Sequence, residues 1–235
     1  MLHDDGSLVA VDKPAGEPVI AARGEPPSAC VQKRLERQLG RRIFVVHRID
    51  RDASGVVLFA LDAAAHRAAS LAFEHRHVEK RYLAFVAGAL GPAEGRLDVP
   101  LHSARRGKTR PARPGEPGAQ AAVTDYATRR TWRLGGQTVS LVEARPHTGR
   151  HHQLRVHLRS AEAPILFDPL YGKGRMGEAL AGAPCARLAL HAKRLALESE
   201  GAGRRLTIES PLAPDLEALA AWLDARTEAG PAGVR

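Results

Sequence analysis

The sequence predicts an α+β domain in which helices flank a largely antiparallel mixed sheet. Two observations predict it. Many short β-prone runs are separated by few helical ones, without the strand–helix alternation of a parallel array. The 235 residues are 44% apolar, enough for a buried core. One domain is expected over residues 1–226, with a flexible tail over 227–235 and no separate N-terminal module.

Gly6–Val11 reads as a strand ending at the Lys13-Pro14-Ala15-Gly16 turn. From Ser28 to Leu39, Val31, Leu35 and Leu39 fall four apart among Lys33, Arg34, Glu36 and Arg37. This is an amphipathic helix with Ser28 as N-cap and Gly40 as its stop. Ile43–Val46 and Gly55–Ala60 read as buried strands around a polar turn, and Asp62 caps an Ala-rich helix through about Glu74. Tyr82–Leu90 is β-prone. Further strands are expected at Ala122–Thr128, Thr138–Ala144, Gln153–Leu158, Leu188–Leu197 and Arg205–Ser210. Pro214-Asp215 opens a closing helix whose apolar face holds Leu216, Leu219, Leu223 and Trp222. Ser103–Gln120 and the Gly-Pro-Ala-Gly run near the C-terminus read as irregular.

Lys plus Arg number 35 against 26 Asp plus Glu, a net charge of +9. That excess favours a polyanionic partner, whose phosphates would hold the surface by counterion release. Cys30 and Cys185 lie outside any CxxC pair and read as free structural thiols in a reducing compartment. The N-terminus lacks a signal-peptide pattern and no apolar run is long enough to span a bilayer, so a cytoplasmic protein without a membrane partner is expected.

The densest polar grouping is His47-Arg48-Ile49-Asp50-Arg51-Asp52-Ala53-Ser54-Gly55, between two apolar strands. A loop at the edge of a rigid sheet can hold catalytic groups in position, and Arg48 and Arg51 would keep Asp50 ionised. Asp50, Ser54 and Gly55 would equally serve to build a tight turn. A second grouping runs from Pro146 to Leu158. Its alternation puts Leu154, Val156 and Leu158 on one face and Gln153, Arg155 and His157 on the other, as on a strand. Its four histidines invite a zinc reading. His151 and His152 are adjacent, however, and would point oppositely on an extended chain with no acid or cysteine nearby, so a basic, hydrogen-bonding RNA surface fits better. Tyr82, after Lys80-Arg81, could stack on a nucleobase or simply belong to the core.

These motifs together resemble the RluA-type pseudouridine synthases. The resemblance rests on Asp5–Gly16, His47–Gly55, Lys80-Arg81-Tyr82, Thr148–Leu158, Asp168-Pro169-Leu170-Tyr171-Gly172 and Leu190-His191-Ala192, in the family's order across residues 4 to 223. It implies a pseudouridine-synthase-like fold, here without an added N-terminal RNA-binding domain. The implied activity is isomerisation of uridine in tRNA or 23S-type rRNA, without a cofactor or metal, on a structured RNA; a monomer is expected. It assigns Asp50 as the catalytic aspartate, Arg155 as its cationic partner, and Tyr82 as the aromatic on the target base. Arg48 would occupy the space left by the extruded nucleotide. His47, Arg150, His151, Gln153, Leu190 and Lys108 complete the expected substrate-binding set. Lys108 belongs to the basic run Arg105–Arg110, a candidate RNA-clasping loop. His151 stands where the family usually has Ser or Thr, and Phe167 where Gly commonly precedes Asp-Pro. Three other classes remain open on sequence: a non-catalytic RNA-binding module, a hydrolase using Asp50 with Asp52, and, third, a metal-dependent enzyme on the histidine cluster.

Overall fold

The structure, a computed structural model, describes residues 1–21, 24, 26, 29–172, 176–198 and 205–227. In chain order the elements begin β1 His3–Asp4, β2 Leu8–Lys13, α1 Val31–Leu39, β3 Phe44–Val45, β4 Ser54–Ala60, α2 Ala63–Glu74 and β5 Val78–Ala87. They continue β6 Glu94–Asp98, β7 Leu101–Ala104, β8 Lys108–Pro111, β9 Val123–Leu134, β10 Gln137–Pro146 and α3 Gln153–Ser160. They end with β11 Leu190–Glu198, β12 Arg205–Glu209 and α4 Pro214–Asp224. The mixed α+β composition, with four α-helices among the described residues and mostly antiparallel pairing, is the predicted class. The chain forms two compact units: residues 1–82 with 191–213, and residues 83–190 with 214–235.

In the first unit β2 pairs antiparallel with β1 and β4, while β11 joins β4 in parallel through His191↔Ser54 and Ala192↔Gly55. β12 pairs antiparallel with β11. Ala10, Val56, Leu58, Leu195, Leu197 and Ile208 pack against Ala69 and Ala72 of α2. Asp62 caps α2, its carboxylate accepting from Ala65 N at 2.8 Å. Gly40 ends α1 in the left-handed conformation (φ 65°). The N-cap position of α1 is Cys30, without a side-chain cap, and Ser28 lies outside the described residues. Only Phe44–Val45 of the expected 43–46 strand pairs, and both are half-buried.

In the second unit β9 is the centre of an antiparallel group with β10 on one side and β6 on the other. Leu216, Leu219 and Leu223 of α4 are fully buried, as its pattern predicts, and Trp222 is half-buried. Trp132 Nε1 donates to Asp224 at the end of α4 at 2.6 Å. Two expectations are corrected. Residues 103–120 are not irregular throughout: β7 and β8 make a hairpin with Ser103 opposite Thr109, turning at Gly107 (φ 66°). Residues 153–158 are helical, not a strand. All six are buried, so this part of α3 has no solvent face to set its period, and Arg155 and His157 have hydrogen-bond partners inside the unit. Thr227 Oγ1 accepts from Arg133 N at 3.1 Å, and residues 228–235 of the expected tail lie outside the described residues.

Candidate functional site

Asp50 sits in the loop between β3 and β4, and this loop is fastened from below. Lys13, fully buried at the end of β2, donates its ammonium protons to the carbonyls of Pro14, Glu17 and Arg51 at 2.6, 2.7 and 2.8 Å. Gly16 N reaches the same Arg51 carbonyl at 3.0 Å. A buried cation is stable only with such partners, so the Lys-Pro-x-Gly turn and the carbonyl beside Asp50 become one unit. The far end of the loop is fixed by the pairing of β4 with β11. Gly55 has φ 111°, and a Cβ there would lie 2.3 Å from Ala192 O. Ser54 Oγ and His191 Nδ1 are 2.9 Å apart in the same buried seam. Two motifs 137 residues apart in sequence are thus the two sides of one strand junction.

His47 contributes through its ring nitrogen. Nε2 accepts from Leu58 N at 3.0 Å, and the ring stacks on Phe73 at 4.9 Å. Burial, with the charge of Lys80 added, pushes its pKa down to about 3, so the imidazole is neutral with its proton on Nδ1. Tyr82 and Lys80 are two apart on β5 and face one way. Burial raises the pKa of the Tyr82 hydroxyl, and the nearby Asp50 charge raises it further, which keeps the phenol protonated. Burial lowers Lys80 to about 8. The loop and β5 therefore bring Asp50, Tyr82, His47 and Lys80 into one neighbourhood of the first unit. Lys80 lies outside the site residues expected from sequence, and its alternation with Tyr82 is the signal that points to it. Arg48 is exposed.

Arg155 belongs to the second unit, 4% exposed on α3. Its Nε and Nη2 donate to the two oxygens of Asp168 at 2.8 and 2.7 Å, and its guanidinium lies 5.1 Å from the Tyr171 ring centre. Asp168 Oδ1 also accepts from Leu170 N and Tyr171 N, at 2.9 and 3.0 Å. Burial works against the ionised carboxyl, but Arg155 and these amides outweigh it and hold its pKa below the usual range. The Asp168–Gly172 motif is thus the cradle of Arg155. Phe167, before it, has φ 57°, the left-handed region that favours glycine, so this chain carries a side chain where backbone freedom would be cheaper.

The expected RNA-contact residues of this unit divide by exposure. Lys108 and His151 are exposed and Arg150 is half-buried, with its Nε on Ala121 O at 3.1 Å. His151 Nδ1 lies 3.1 Å from Thr109 Oγ1, which brings the β8 hairpin to the start of α3. His151 and His152 stack at 3.7 Å in a turn (His152 φ 52°), rather than pointing apart as on an extended chain. Leu190 and Gln153 are buried. Gln153 accepts from Thr148 Oγ1 and Arg150 N and donates to Val123 O and Thr124 Oγ1. Its amide fastens the first turn of α3 and so positions Arg155. Among the described residues no three His, Cys, Asp or Glu side chains group as a metal site.

Residues 7–160 match the family model for RNA pseudouridylate synthase. The tRNA pseudouridine synthase C of Salmonella typhimurium is 35% identical over 239 residues, covering 98% of this chain and 89% of that protein. The dual-specificity RNA pseudouridine synthase RluA of Escherichia coli is 35% identical over 215 residues, covering 90% and 92%. Among solved structures, human RNA Pseudouridylate Synthase Domain Containing 4 has a TM-score of 0.75 at 26% identity, covering 95% of this chain and 92% of that one.

Proposed function

This chain belongs to the family of RNA pseudouridylate synthases, and from that premise we propose that it isomerises specific uridines in structured tRNA or rRNA with Asp50 as the reacting carboxylate. The observation that supports Asp50 most is its neighbourhood: a fastened loop beside a protonated, half-buried tyrosine on β5.

The reaction breaks the uridine N1–C1′ bond, turns the uracil, and joins C5 to C1′. The proton on C5 is lost and N1 gains one, so no redox change accompanies the step. The target nucleotide first leaves its stack, at a cost of a few kcal/mol that contacts to neighbouring phosphates offset. Asp50 then reacts as a nucleophile or as a base at the sugar. Tyr82 confines the loosened uracil by stacking. Arg155 keeps the part the resemblance gives it, balancing the carboxylate's charge, with Asp168 fixing its guanidinium. Arg48, Lys108, Arg150 and His151, the exposed or half-buried members of the set, contact the RNA.

Transcripts labelled with tritium at uridine C5 test this. Wild-type protein should release tritium to water without releasing free uracil, and Asp50→Asn should release none while still binding RNA. Release of uracil, or undiminished turnover by Asp50→Asn, would overturn the assignment.

A further inference from the structure

We propose that an arginine groove on α1 and the turn after it docks the phosphodiester backbone of the RNA substrate, apart from the reacting nucleotide. This rests on the reading of the chain as an enzyme of structured RNA. The open groove, about 750 Å³, is lined by Lys33, Arg37, Arg41 and Arg42, with Glu36 as its single carboxylate. Elsewhere many surface arginines are neutralised by a carboxylate: Arg34 by Glu17, Arg96 by Asp125, Arg129 by Glu143 and Arg187 by Asp215. The groove is built differently. Glu36 is taken chiefly by Lys33 at 2.6 Å and by Ile43 N at 3.3 Å, with the Arg42 charge also near it.

The three arginines are held by groups that leave their charge intact. Arg37 Nε donates to Lys33 O at 3.4 Å, Arg41 Nη2 donates to Leu61 O at 2.7 Å, and the Arg42 guanidinium lies 5.3 Å from the centre of the Phe44 ring. All three are exposed. A carbonyl or an aromatic face fixes the side chain while the remaining N–H groups stay available to an oxyanion. Pre-ordered guanidiniums lose little further freedom on binding, and their fork matches phosphate oxygens. Multiple cations along one open groove suit a chain of phosphates better than a single small anion.

The groove is also tied to the reaction loop through the chain. Arg42 enters β3, which leads into His47–Asp50, so Arg42 and Asp50 are eight residues apart and at most about 29 Å distant. Within that span a stem flanking the target loop reaches both places at once. Gln32 Nε2 on Ile43 O, with Glu36 on Ile43 N, fastens α1 to this segment. A phosphate held in the groove is therefore held in a fixed relation to the start of the loop.

The test is the salt dependence of binding of bulk tRNA to the full chain, followed by direct titration. Arg37→Gln with Arg41→Gln and Arg42→Gln should lower the slope of log affinity against log salt by about two to three, because each phosphate that a cation neutralises adds ~0.9 to that slope. Affinity should fall about ten-fold or more at ~0.1 M salt. Arg37→Glu alone, on the exposed helix face, gives the same direction without touching Arg41 or Arg42, should the triple variant fold poorly. Arg129→Gln, which removes an arginine already neutralised by Glu143, should leave the slope unchanged. An unchanged slope in folded groove variants would overturn the proposal, as would an equal loss in Arg129→Gln. Displacement of the tRNA by polyglutamate at matched charge would overturn the commitment to RNA. Binding is read without turnover, so a wild type that binds through the groove but releases no tritium would refute the catalytic reading alone.

Discussion

Replacing Asp168 by alanine removes both oxygens that hold Arg155 and the acceptor for two backbone amides. Arg155 is 4% exposed and the Asp168 side chain fully buried, so the guanidinium would stay out of water without this counter-ion. Removing one partner of such a pair costs roughly 3–5 kcal/mol, mostly the penalty of the orphaned charge. Against a typical stability of about 5–15 kcal/mol this is a large share. With a urea slope of about 2.5 kcal/mol per molar, the midpoint should fall by roughly 1.5 M. Asp168→Asn should cost less, since its carbonyl still serves Leu170 N and Tyr171 N, while its NH2 opposes a guanidinium donor. Arg155→Met combined with Asp168→Leu should be more stable than Asp168→Ala, because neither member of this pair remains charged. Asp168 is held below the usual carboxylate range, so its contribution is present above about pH 4 and is lost as pH falls through the folded value. A stability loss under ~1 kcal/mol in Asp168→Ala would refute the idea that this carboxylate compensates a buried charge.

Three further outcomes are expected. Arg155→Lys should retain more tritium release than Arg155→Ala, and equal losses would contradict a charge role. Gly55→Ala should destabilise the first unit by about 3 kcal/mol or more, since a Cβ would meet Ala192 O at 2.3 Å and the φ is positive; an unchanged thermal midpoint would contradict this. His47 stays neutral down to about pH 3 when folded and gains a proton near 6.5 when unfolded, so the unfolded state binds more protons on acidification. About 1–2 kcal/mol should be lost between pH 6.5 and 5, and His47→Gln should lose less over that range; identical pH slopes would count against the buried imidazole.

Much of this was legible in the residues because the chemistry needed particular types at fixed places. Asp62 and Gly40 announced their caps, and the 216-219-223 pattern announced α4. Residues 153–158 read as a strand because period-2 alternation in a short, wholly buried stretch carries no directional signal. The 103–120 stretch looked irregular because Gly, Pro and Arg mask a four-residue strand pair. The long-range partners were not legible. No local pattern says that Asp168 holds Arg155, that Lys13 fastens the Arg51 carbonyl, or that Gly55 is demanded by Ala192. Each is a tertiary contact of 13 to 137 sequence positions. Gln153 looked like an RNA contact because a polar residue in a basic motif carries no mark of being buried.

The most direct measurement is pseudouridine mapping of total RNA from a strain lacking this gene, restored either with wild type or with Asp50→Asn. Loss of pseudouridine at one or a few uridines, recovered by the wild-type gene alone, is the predicted result. No changed site, or recovery by Asp50→Asn, would contradict the assignment of Asp50 as the reacting carboxylate of an RNA uridine isomerase.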